Sequence, residues 1–248
     1  MDLKESPNRE FVRHPWELAR FTFFRRVLEE AGLDRSPLQI LDVGSGDAWF
    51  AKELLSCLPT GSTCTCWDIG YQEQALPAAF SDSRLTATQV RPGKVFDLIL
   101  LLDVAEHVKD DRSFLIDLVS RCARSGTHVL FSVPAWSALM CSHDVALHHF
   151  RRYQPSQARA LLKDAGLTLG SSGGAFHGLI LPRLLNVLKE RAFGAPKEPV
   201  AESLEWQAGD VLGSVVGQVL AAEGRVSRWL ASNKVDLPGL SWWALCQK

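Results

Sequence analysis

The segment Ile40-Leu41-Asp42-Val43-Gly44-Ser45-Gly46-Asp47-Ala48 constrains the fold more than any other stretch of the chain. A short apolar run at 38–43 reads as a strand, and a glycine-rich turn follows it directly. Residues 48–58 then carry a helical apolar pattern that Pro59 closes. Strand, tight turn and helix in this order let the backbone approach a ligand at the start of the helix. Such a turn could serve any nucleotide. A dinucleotide fingerprint of the form G-x-G-x-x-G needs a small residue at position 49, where Trp49 would crowd a pyrophosphate. No Gly-Lys-Ser/Thr follows, which excludes a Walker-type phosphate loop.

The rest of the chain repeats the same rhythm. Trp16, Leu18, Ala19, Phe23, Phe24, Val27 and Leu28 recur at helical spacing, and Gly32 supplies a stop. Strands are expected at 63–68, 84–90, 96–102 and 127–133, with helices at 111–123 and 155–165. Residues 167–169 can start another strand, helices are expected at 176–191 and 210–230 around a linker at 194–199, and 240–246 reads as a final strand. Strands alternating with helices imply an α/β, doubly wound, mostly parallel sheet of Rossmann type, here seven-stranded, with helices on both faces. A helical insertion precedes the last strand. The organisation expected is an N-terminal helical segment (1–36), a core (37–174) with a loop at 134–153, and an insertion plus last strand (175–248) belonging to the same domain.

Composition narrows the class further. With 248 residues, 46% of them hydrophobic, the chain can bury one substantial core. A formal net charge of −1 gives no electrostatic reason to expect nucleic acid as a partner. The cysteines at 57, 64, 66, 122, 141 and 246 lack C-x-x-C spacing, so reduced thiols in the cytoplasm are expected. The first residues are charged rather than apolar, unlike a secretory signal, and no apolar run approaches the roughly 18 residues of a membrane span.

Asp42, Gly44, Gly46 and Ala48 resemble the first motif of the class I S-adenosylmethionine-dependent methyltransferase family, an acid followed by G-x-G-x-G, with alanine in place of the third glycine. The segment 96–108 resembles the family's fourth strand, F-D-x-V followed by D-V-x-E-H-V. The resemblance implies that S-adenosylmethionine is the methyl donor and S-adenosylhomocysteine the product. It implies that Asp42 orients the donor's ammonium group while the backbone of Gly44, Ser45 and Gly46 meets its amino-acid portion. Asp68, at the end of the second strand, would accept the ribose hydroxyls, with Ile69 and Gln89 (or Thr88) beside the adenine. Asp103 and Val104 would stand at the crevice. His107 reads as a structural residue of its junction.

The loop 142–153 resembles a subgroup of these enzymes with H-D, a later H, and R-R-Y. His143, Asp144, His149, Arg151, Arg152 and Tyr153 fall on that pattern, and His148 replaces a glycine. Methyl transfer from a sulfonium requires the nucleophile to be aligned and, where needed, deprotonated. His143 or His149 is the candidate base, with Asp144 to orient an imidazole. Arg151, Arg152 and Tyr153 are candidate substrate contacts, through charge and hydrogen bonding. The competing reading makes the loop a hydrogen-bonded lid. His143, Asp144, His148 and His149 are ligand types crowded into one loop, so no metal site is expected. The acceptor expected is a small, lipid-linked or carrier-linked molecule, methylated at oxygen, with nitrogen and carbon as the alternatives. The apolar faces of 179–188 and 211–230 read as core packing or a homodimer surface, or else as an apolar substrate groove or a peripheral membrane contact. A nicotinamide-dependent oxidoreductase and a non-catalytic S-adenosylmethionine-binding regulator are the alternatives to methyl transfer.

Overall fold

The computed structural model describes residues 13–72, 76–196 and 210–248. Residues 1–12 of the expected N-terminal segment and 197–199 of the expected linker lie outside them.

Helix α1 (Pro15–Glu30) opens with proline at its first position, where the missing N–H costs nothing, and His14 Nδ1 accepts from the Trp16 N–H at 3.1 Å. It ends at Gly32, whose φ of +74° suits glycine. Its apolar stripe of Phe23, Phe24, Val27 and Leu28 is buried. The seven strands are β1 (Gln39–Val43), β2 (Thr63–Trp67), β3 (Leu85–Thr88), β4 (Phe96–Leu102), β5 (Ala123–Pro134), β6 (Thr168–Ala175) and β7 (Ser241–Gln247). They form one sheet in the order β3-β2-β1-β4-β5-β7-β6. β7 runs antiparallel to both its neighbours, and every other pairing is parallel.

Helices α2 (Trp49–Cys57), α3 (Asp111–Cys122) and α5 (Pro155–Asp164) are crossovers. Asp110 caps α3 by accepting from the Ser113 N–H at 3.1 Å. Two apolar layers sandwich the sheet. α1, α2 and part of helix α7 (Asp210–Ser232) pack on one face with Trp243, while α3 and α5 pack on the other with Trp242. The adjacent indoles point to opposite faces because side chains alternate along a strand. Phe23 of α1 meets Trp243 edge-on at 5.4 Å, locking the N-terminal helix to the last strand.

Three expectations change in detail. β6 extends to Ala175 although Gly170, Gly173 and Gly174 give it no apolar alternation. A Cβ on Gly174 would lie 2.2 Å from the Leu237 carbonyl oxygen, so the approach of the segment before β7 dictates glycine there. The helix expected from 176 starts only at Ile180 as α6 (Ile180–Phe193), because Phe176 takes a left-handed φ of +61° and a short turn intervenes. The loop 134–153 contains a short helix, α4 (Ser142–Ala146). On α6 only Val187 is buried, and Leu181, Leu185 and Phe193 are exposed, so core packing does not explain that apolar face. No helix among the described residues is long and apolar enough to cross a membrane.

Candidate active site

At the carboxyl end of β1 the chain turns through Gly44 and Gly46 with φ of +65° and +54°. Glycine is required at the first of these on two counts. The conformation is left-handed, and a Cβ would stand 2.8 Å from Val104 Cγ2. The turn is held to β2, with the Gly44 N–H donating to the Trp67 carbonyl at 2.7 Å. Asp68 bridges two loops by accepting from the Gly46 N–H at 3.0 Å and the Gly70 N–H at 2.8 Å. Ala48, which stands for the family's third glycine, is fully buried and itself left-handed at φ +57°. The smallest side chain with a Cβ is accommodated there at some backbone strain.

A pocket opens over this turn, lined by Glu17, Arg20, Asp42, Gly44, Ser45, Asp47, Trp49, Phe50 and Leu102. Asp42 is 5% exposed. Burial lifts its carboxyl from 3.8 to about 7, with Asp68 and Asp47 adding to the rise and Arg20 opposing it. The Arg20 guanidinium pairs with Asp103 at 2.7 Å. Asp103 sits at φ +58°, just past β4, and also accepts from the Ser132 hydroxyl at 3.0 Å. Ser45 and Tyr71 share a hydroxyl–hydroxyl hydrogen bond of 2.8 Å. Ile69 is 86% exposed beside Asp68. Gln89 is exposed too, and its carbonyl accepts from the Trp67 indole at 3.1 Å.

Helix α1 supplies site residues that the sequence reading missed. Glu17 and Arg20 share the inward, otherwise apolar face of the helix, and two charges beside a buried stripe were the available signal. Arg13 pairs with Asp47 and lies over the Trp49 ring at 4.3 Å. Trp49 thereby becomes a wall of the pocket.

The loop after β5 carries the remaining candidate residues. Asp144 is fully buried on α4 and accepts from the Cys141 N–H at 3.0 Å, Arg152 at 2.8 Å and His149 Nδ1 at 3.1 Å. Burial opposes its charge, but the His149 hydrogen bond and the Arg152 and Arg183 guanidiniums hold the carboxyl well below the ordinary range. Arg152 is 4% exposed and also donates to the Ala135 carbonyl at 2.8 Å and the Leu240 carbonyl at 3.0 Å. It therefore braces the loop against β7 instead of presenting a guanidinium to a substrate. Tyr153 is similarly committed, since it is 3% exposed and its hydroxyl donates to Asp111 at 2.5 Å. Arg151 pairs with the same Asp111 at 2.6 Å from a more open position. His143 lies on α4 beside Asp144. The His149 ring meets that of His107 edge-on at 4.6 Å, next to the buried Glu106.

The model of a family described as "Methyltransferase domain" matches residues 16–172, more than half of the chain. A ubiquinone biosynthesis O-methyltransferase of Paramagnetospirillum magneticum is 27% identical over 67% of this chain and 77% of its own. An S-adenosylmethionine dependent methyltransferase from Mesorhizobium loti has 12% identity and a TM-score of 0.54, over 87% of this chain and 93% of its own. The [4+2]-cyclase SpnF has 16% identity and a TM-score of 0.55, over 98% of this chain and 84% of its own. The two solved structures establish a common fold. That one of them is named a cyclase shows that the fold alone does not fix the chemistry. The comparisons favour neither the oxidoreductase nor the non-catalytic reading. The glycine turn, the buried acid beside it and the family match converge: the chain belongs to the methyltransferase-domain family and is an S-adenosylmethionine-dependent methyltransferase.

Proposed function

We propose that this enzyme transfers a methyl group from S-adenosylmethionine to a hydroxyl oxygen of a small molecule, with His149 taking the hydroxyl proton. The observation that carries the reading is the Asp144–His149 pair. Its carboxylate is fully buried and held charged, and the imidazole lies beside the segment that follows Asp103 at the end of β4. A proton on Nδ1, donated to Asp144, leaves the Nε2 lone pair for a substrate hydroxyl. Oxygen as the acceptor atom is supported by the curated relatives, both named ubiquinone biosynthesis O-methyltransferase.

The donor pocket suits its ligand chemically. The Asp42 carboxyl, costly to ionise when buried, is suited to an ammonium group, and Arg20 is suited to the adjoining carboxylate. Gly44, Ser45 and Gly46 offer bare backbone. Asp68 is placed for ribose hydroxyls, and exposed Ile69 and Gln89 for the base. Asp103 and Val104 form the rim between the two halves. The bound donor supplies an electrophilic methyl on a sulfonium, leaving as S-adenosylhomocysteine. We further place the enzyme in the cytoplasm, a reading supported by its free thiols, of which Cys64 and Cys66 lie 3.9 Å apart at sulfur.

The test is a transfer assay with methyl-labelled donor against paired phenolic and amine acceptors of equal size. Labelled methyl ethers are expected, and their formation should fall by about 100-fold in His149→Ala, in line with general-base catalysis. Transfer to amines alone, or a His149→Ala enzyme of undiminished rate, would overturn the proposal.

A further inference from the structure

Helix α6 turns its polar side to the body of the protein and its apolar side outward, the reverse of a core helix. Arg183, Asn186, Glu190 and Arg191 fall on one face around Val187, the helix's only buried residue, while Leu181 and Leu185 are exposed on the other. What α6 gives the body is therefore a set of polar contacts, and they converge on the segment that carries Asp144. The Glu190 carboxylate accepts from both the backbone N–H and the hydroxyl of Ser142, at 2.9 and 2.5 Å. The Arg183 guanidinium donates to Cys141 Sγ at 2.6 Å and lies 3.6 Å from Asp144 Oδ2. Arg191 donates to the Ala138 carbonyl at 3.2 Å, one turn earlier in the loop.

Helix α4 depends on such contacts, because its five residues are too few for a helix to hold itself in water. Its central carboxylate is gripped from two sides. Asp144 Oδ1 accepts from Arg152, which is tied to β7, and from His149 Nδ1. Asp144 Oδ2 accepts from the Cys141 N–H and faces Arg183. The first grip comes from the loop itself, the second from the helical insertion before the last strand.

We propose that Arg183 and Glu190 are positioning residues: by clamping α4 from the insertion, they set where Asp144 stands and hence where its partner His149 points. Neither lines the donor pocket. The clamp stands on geometry alone, whereas its consequence for methyl transfer rests on His149 acting as the base. A base displaced by about 1 Å can forfeit about 100-fold in rate, so a clamp on its carboxylate partner bears on kcat.

Amide hydrogen exchange of the full-length enzyme, resolved by peptide, separates a local clamp from a general structural prop. In Glu190→Gln and in Arg183→Met, the amides of 141–149 should exchange about tenfold or more faster, the worth of a charged hydrogen bond, while β4 and β5 keep their wild-type rates. In the transfer assay both variants should lose about tenfold or more in kcat with the donor KM unchanged. Arg183→Lys, which keeps the charge, should recover part of both effects. Leu185→Ala, on the outward face of the same helix, should behave as wild type in both. Wild-type exchange at 141–149 in both variants, or acceleration spread equally over β4 and β5, overturns the clamp. His149→Ala assayed alongside tells the two readings apart. Full rate in that variant overturns the general base, whereas a loss there beside wild-type kcat in Glu190→Gln and Arg183→Met overturns the positioning role.

Discussion

Asp42→Asn should make the ligand-free enzyme more stable and its donor complex weaker, with a pH signature that identifies the cause. Asp42 is 5% exposed, and burial raises its carboxyl from 3.8 to about 7. Across that interval the native protein holds a proton that the unfolded chain has released. The contribution to stability is therefore full below pH 3.8 and is lost as pH rises towards about 7. At about 1.4 kcal/mol per unit, the wild type forfeits about 1.5 kcal/mol by pH 5 and about 4 kcal/mol by pH 8. Asparagine does not titrate, so its advantage should grow by about 3 kcal/mol between those pH values, or roughly 5–10 °C in thermal midpoint. Thermal melts of both proteins over the series measure this. Calorimetry with S-adenosylmethionine should show a loss of about 10- to 100-fold in affinity, the value of a charged hydrogen bond. A stability gain independent of pH, or a loss above pH 7, would refute an uncompensated buried charge.

Other substitutions probe the two halves of the site. Gly44→Ala should cost about 1–3 kcal/mol and weaken donor binding, because the position is left-handed and its Cβ would meet Val104 at 2.8 Å. Adding Val104→Ala should recover part of the stability by relieving the contact but not the dihedral, which urea denaturation of the single and double variants measures. Asp144→Ala strands the buried Arg152 and should cost about 3–5 kcal/mol by urea denaturation, whereas a change under about 1 kcal/mol would show that the pair is not buried as described.

The candidate donor half of the site was legible because it is local. Asp42, Gly44, Ser45 and Gly46 sit on one strand and the turn after it, and Asp68 directly follows the next strand. Apolar patterning located six of the seven strands and only the start of β6, and β4 coincides with the expected 96–102. Boundaries failed where tertiary approach rather than pattern sets the conformation, as at Gly174 against Leu237 and at left-handed Phe176.

The proposed acceptor half was legible only as a list of residue types. The loop's histidines, acid and arginines were all candidates, and nothing local separates a group that faces a ligand from one that braces the fold. Tertiary structure buries Arg152 between Asp144 and the strand end at Leu240, and turns His149 towards Glu106 and His107. It also brings Glu17 and Arg20 of α1 over the glycine turn. The physical reason is range. Periodicity and turn chemistry act over a few residues and determine strands, helices and the nucleotide-type turn. The partner of a buried charge is chosen by packing between segments far apart in the chain, which the sequence does not display.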